Sequence, residues 1–80
     1  MTRLREAELA VTKERAERIA RGHACETCGE YTIKRLKVVS APAAVTAELE
    51  AVWIARKTCG VCGMEQEIGI DADGDIVFAN

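Results

Sequence analysis

The sequence predicts an α+β fold, an amino-terminal helix followed by a small antiparallel β-sheet. Three observations predict it. The chain through Arg21 is built from helix-forming residues. Beyond Gly22 the pattern changes to short runs rich in β-branched and aromatic residues, separated by turn signals. Two Cys-x-x-Cys-Gly segments, Cys25–Gly29 and Cys59–Gly63, bracket the longest of these runs.

Thr2 is a good N-cap for a helix over residues 2–21, whose interior is dominated by Ala, Leu, Glu, Lys and Arg. Leu4, Ala7 and Val11 make one short apolar stripe at helical spacing, and Leu9, Ala16, Ile19 and Ala20 make another. Glu14 with Arg18, and Glu17 with Arg21, are i,i+4 pairs in the favourable order. Gly22 after a basic last turn predicts a glycine stop. The helix is expected to pack on the sheet or to pair with a protein partner or a second copy. The organisation is therefore an amphipathic helix over 1–22 and a four-cysteine unit over 23–80.

Tyr31, Thr32, Ile33, Val38 and Val39 place a first strand over 30–39, with a bulge where alternation fails near Lys34–Leu36. The stretch Ser40–Thr46, with the only proline, reads as a loop or the broad end of a hairpin. Leu49, Val52, Trp53 and Ile54 mark a second strand over 48–58. Gln66–Ile70 and Ile76–Phe78 are two further strands joined by Asp71-Ala72-Asp73-Gly74-Asp75, where Asp-Gly is a strong turn signal. That acidic run superficially suggests a calcium loop, but its glycine is out of place, and the turn is the better reading.

An 80-residue chain builds a modest core. Almost half the residues are apolar, yet many are alanine, and Tyr31, Trp53 and Phe78 are the only aromatics. Small domains of this kind recruit a disulfide, a metal or a partner. Met1–Arg21 is densely charged and has no continuous apolar stretch, so it reads as neither a signal peptide nor a membrane span. Paired Cys-x-x-Cys motifs without an export signal favour metal over disulfide, and the expected location is the cytoplasm.

Two residues between cysteines let a tight turn aim both thiolates at one ion, and the following glycine lets the chain turn back. Cys25, Cys28, Cys59 and Cys62 thus supply a closed tetrahedral set that suits one structural zinc, with iron as the alternative. The long interval from Cys28 to Cys59 exceeds ordinary finger spacing but suits a hairpin that returns the chain to the metal. His23, two residues before Cys25, reads as the solvated end of a helix rather than a ligand.

At this point a resemblance becomes visible. CETCG and KTCGVCG, with the order knuckle, long hairpin, knuckle and further strand, resemble the zinc-ribbon superfamily, and within it the small zinc-ribbon transcription elongation factors and the carboxy-terminal ribbon of transcript-cleavage factors. The resemblance implies a zinc ligand role for Cys25, Cys28, Cys59 and Cys62 and an adaptor role in a transcription or nucleic-acid machine. Cleavage factors carry an adjacent acidic pair at the hairpin tip; the tip here, Ser40-Ala41-Pro42-Ala43-Ala44, has none. The knuckles are also similar to those of rubredoxins, which implies an iron electron carrier, although position 60 is glycine where rubredoxins have proline, and aromatics are few. The zinc-ribbon amino-group carrier proteins present a carboxy-terminal glutamate, whereas this chain ends Val77-Phe78-Ala79-Asn80.

Charge is unevenly placed. Basic residues exceed acidic ones up to Lys37, while after Lys57 there are five carboxylates and no cation, within a net charge of −2. Lys34, Arg35, Lys37, Arg56 and Lys57 fall on the two long strands, and with Tyr31 and Trp53 they form a candidate contact surface for single-stranded nucleic acid or a partner. The competing reading places Trp53 in the core and leaves the cations solvated. A single histidine and no nucleophile–base pair exclude most hydrolytic schemes, so the chain reads as a binding module rather than an enzyme. A small accessory subunit of a larger enzyme complex is a further reading.

Overall fold

The computed structural model describes residues 11–80. Helix α1 (Lys13–Arg21) precedes strand β1 (Ile33–Ser40), helix α2 (Ala43–Leu49), strand β2 (Ala51–Cys59), strand β3 (Glu65–Asp71) and strand β4 (Ile76–Ala79). The strands form one antiparallel sheet in the order β1-β2-β3-β4, so the fold is α+β as the sequence predicts. No helix among the described residues is long and apolar enough to cross a membrane.

The uninterrupted helix expected over 2–21 is corrected at Thr12. This residue is extended (φ −80°, ψ 163°), and its side chain caps α1 by accepting a hydrogen bond from Arg15 N at 3.1 Å. The expected cap at Thr2 and the stripe residues Leu4, Ala7 and Leu9 lie outside the described residues. Val11 explains the break. Its N–H donates to Ala72 O at 2.9 Å, and its carbonyl accepts the Trp53 indole N–H at 2.8 Å. Both backbone groups of Val11 are thereby committed to the sheet and its acidic turn rather than to a helix. Among the described residues, the expected pairs Glu14–Arg18 and Glu17–Arg21 form no ion pair; those present are His23–Glu26 and Arg56–Glu67.

α1 lies on one face of the sheet. Ala16 and Ala20 are fully buried, and with Val11, Val38, Ala55, Ile68 and Ile70 they form the core, against which Ile19, Leu36 and Trp53 pack. Small residues on the helix allow a close approach to β2, where Ala55 is also fully buried. The apolar stripe Ala16, Ile19 and Ala20 is therefore used up within the chain.

Strand registers follow the expected hairpins with one addition. β1 pairs with β2 from Ile33–Cys59 to Ser40–Trp53, with the expected bulge between Ile33 and Arg35. The expected loop Ser40–Thr46 is corrected: Ala43–Leu49 is a helix, entered through Pro42 and closed by Glu50 in the left-handed region at φ 64°. Leu49 consequently belongs to α2 and is exposed rather than on the second strand. The β3–β4 turn forms as expected. Gly74 has φ 91°, Asp71 N donates to Asp75 O at 2.9 Å, and Asp71 Oδ1 accepts from Asp73 N and Asp75 N.

Candidate metal centre

The two knuckles are built alike. Cys25 N donates to Glu30 O at 2.8 Å and Gly29 N to Cys25 O at 2.8 Å; Cys59 N donates to Met64 O at 2.9 Å and Gly63 N to Cys59 O at 3.1 Å. Gly29 and Gly63 have φ of 77° and 78°, a conformation that favours glycine and turns each knuckle back into a strand. Gly60 N donates to Thr32 O at 2.8 Å, which ties the second knuckle to the start of the first hairpin strand.

This geometry brings together the four cysteines read from the sequence. Their sulfurs all lie within 4.8 Å of one another and form a group that can hold a metal ion. Cys25 Sγ and Cys62 Sγ are 3.6 Å apart, as are Cys28 Sγ and Cys59 Sγ. A disulfide needs about 2.05 Å, whereas the edge of a tetrahedron of sulfurs around zinc at about 2.3 Å is about 3.8 Å. Cys25 and Cys59 are buried, while Cys28 and Cys62 are exposed, so the centre has an inner and an outer pair.

Backbone amides point at the inner sulfurs. Cys62 N and Val61 N approach Cys59 Sγ at 3.4 and 3.3 Å and, outweighing burial, lower its pKa to about 6. Amides of Cys28 and Thr27 do the same for Cys25 and lower its pKa. In the outer pair the balance reverses. The Glu30 amide favours the Cys28 thiolate, but desolvation and the neighbouring thiols push its pKa up to about 12. For Cys62 the Met64 amide is likewise outweighed by burial and by Cys25 and Cys59. Four like charges cannot collect here without a cation, so the backbone amides favour the thiolate form at Cys25 and Cys59, while Cys28 and Cys62 give up their protons to an arriving metal.

Lys57 occupies an unexpected position. Its side chain is on the α1 side of the sheet and buried at 4% exposure. Its ammonium donates to Ala20 O at 3.1 Å and to His23 O. It therefore caps the carboxyl end of α1, where the helix dipole is negative. The expected glycine stop is present: Gly22 ends the helix, with φ −82° and after the basic last turn of Arg18 and Arg21. Burial pulls the Lys57 pKa down, against attraction from Cys25, Cys59 and Glu26. A cation this close to the sulfurs also reduces the negative charge of a tetrathiolate centre. His23 is paired with Glu26 at 2.6 Å and is not among the grouped metal donors.

The remaining predicted contact residues divide. Trp53 is half-buried and bonded to Val11, and Lys57 is buried, so both are corrected from surface contacts to structural roles. Lys34, Arg35, Lys37, Arg56 and Tyr31 are exposed. Arg35, Lys37 and Arg56 surround a shallow basin of about 820 Å³ on the face opposite α1, together with Thr58, Glu65 and Glu67. Arg56 Nε pairs with Glu67 Oε2 at 2.9 Å. Asp71, Asp73 and Asp75 also cluster, but Asp71 Oδ1 is engaged by backbone amides of the turn.

Sequence reasoning missed α2, the break at Thr12 and the buried position of Lys57. Alternation from Cys59 back through Lys57, Ala55 and Trp53 was the available signal for the last of these, since it puts Lys57 on the same face as two core residues. No protein-family model, curated protein or solved structure matches this chain significantly.

Proposed function

We propose that this protein is a non-enzymatic binding module, an adaptor whose ribbon is clamped by one structural zinc on Cys25, Cys28, Cys59 and Cys62. The convergence of four sulfurs from two like-built knuckles carries the reading. All four protein ligands are thiolates, which leaves no open coordination position for chemistry. Trp53 is committed to Val11 and Tyr31 is exposed, which favours zinc over an iron centre packed in aromatics. Four reduced thiols suit the cytoplasm. The partner is best sought among proteins, because carboxylates interrupt the cationic surface and, of its proposed contacts, Lys57 is buried and Trp53 half-buried.

One observation favours a second reading. Cys28 and Cys62 are exposed, so a redox-active iron at these ligands would have two sulfurs at the surface, where electrons can be exchanged. Elemental analysis and visible spectroscopy of native protein recovered with its binding partners separate the two. A colourless protein with one zinc per chain and a stoichiometric partner supports the adaptor. A red protein that bleaches on reduction makes it an electron carrier.

A further inference from the structure

We infer that the sheet face turned away from α1 is an interface between two copies of this chain. Strand register arranges that face in three rows. The row nearest α2 is Val39, Ile54, Gly69 and Phe78; the next is Lys37, Arg56 and Glu67; the last is Arg35, Thr58 and Glu65. The first row is apolar, and its Phe78 ring covers Gly69. It adjoins a crevice of about 500 Å³ to which α2 contributes Val45 and Leu49. In the charged rows the cations of β1 stand on one side and the carboxylates of β3 on the other, with β2 between them.

That pattern is complementary to itself. A two-fold axis parallel to the strands and centred over β2 lays β1 of each copy on β3 of its mate, row against row. Arg35 then faces the partner's Glu65 and Lys37 the partner's Glu67. Arg56, beside the axis, keeps its own Glu67. The half-buried Val39 and Phe78 of the apolar row meet, Ile54 and Gly69 being already buried within each chain. Sheets stacked face to face lie about 10 Å apart, a gap that long Arg, Lys and Glu side chains span. Within one chain the charges are incompletely matched. Lys37 lies directly opposite Arg56, a like-charge neighbour, and among the described residues Arg56–Glu67 is the only ion pair on this face. Arg35, Lys37 and Glu65 thus remain available. A polyanion would meet Glu65 and Glu67 along with the cations, whereas a second copy satisfies both signs. The α1 face offers no equivalent, since Ala16 and Ala20 are already fully buried. This interface goes beyond the adaptor reading and does not depend on which metal the cysteines hold.

Sedimentation equilibrium of the full metal-loaded chain, with the charge reversals Arg35→Glu and Glu65→Arg, tests it. The wild type should approach twice the 8.7 kDa chain mass with rising concentration. Two-fold symmetry doubles every contact, so each single reversal turns two attractive pairs repulsive and should raise the dimer dissociation constant by about tenfold or more. An equimolar mixture should recover wild-type association, because only the mixed dimer restores both Arg–Glu pairs. Circular dichroism and metal content, both expected to be unchanged, separate this result from misfolding. A wild type that stays monomeric at millimolar concentration overturns the inference. So does association that neither reversal weakens, or a mixture that fails to recover it.

Discussion

Replacing Lys57 with Met keeps an unbranched stem of similar volume and removes the ammonium that joins α1 to the sheet. Two charge-assisted hydrogen bonds disappear, those to Ala20 O and His23 O. Bonds of this type contribute about 1.5–3 kcal/mol each. Part of that loss is returned, because a buried ammonium no longer has to be desolvated. Ala20 O also keeps the His23 amide at 3.2 Å, so His23 O is the group left short. The net cost is about 2 kcal/mol. For an 80-residue chain, total stability is about 4–12 kcal/mol, so the loss is a sizeable share and corresponds to a fall in Tm of roughly 10 °C. Urea unfolding of the zinc-loaded protein, followed by Trp53 fluorescence, gives the stability, and amide exchange gives the local effect. The α1 amides should lose protection before those of β2 and β3. A variant within about 0.5 kcal/mol of wild type, with α1 protection intact, would refute the idea that Lys57 clamps the helix.

Other consequences follow from the same geometry. Zinc binding near neutral pH should release protons, chiefly from Cys28 and Cys62, whose pKa values are raised. Calorimetry in buffers of different ionisation enthalpy measures this. Zinc affinity should fall more steeply as pH drops through about 6, where Cys59 also takes up a proton that the metal must displace; an affinity that is flat with pH would count against the assignment. Gly69→Ala should destabilise the sheet by about 1–3 kcal/mol, because an added Cβ would sit 2.2 Å from Phe78 Cε2. Thermal unfolding reads the loss, and Gly69→Ala combined with Phe78→Leu should recover part of it. Oligonucleotide binding should be weak even at low salt and little changed by Lys34→Ala or Arg56→Ala; tight, salt-sensitive binding weakened by these changes would restore the nucleic-acid reading.

The four-cysteine cluster was legible because its signals are local. Each knuckle is a short turn whose cysteine spacing and glycine declare its shape, and the intervening hairpin is written in β-branched residues. The Asp-Gly turn and the bulge near Lys34 were legible for the same reason. The break at Thr12 was not, because helix formers lie on both sides of it in the sequence and the cause is remote: Trp53 and Ala72 take up the backbone hydrogen bonds of Val11. α2 was hidden by its brevity and surroundings. It has seven residues, none buried, so it leaves no apolar periodicity to read. Lys57 was misjudged because a lysine between an arginine and a threonine looks solvated, and only the docked helix supplies the carbonyls that make its burial tolerable.

The central claim is that four thiolates close around one metal, and cobalt substitution tests it most directly. Apo protein titrated with Co²⁺ under reducing conditions should develop the visible d–d bands and thiolate charge-transfer absorption of a tetrahedral tetrathiolate site. The titration should break sharply at one metal per chain, and stoichiometric zinc should abolish the bands. A spectrum of octahedral cobalt, or no break at one equivalent, would contradict the account.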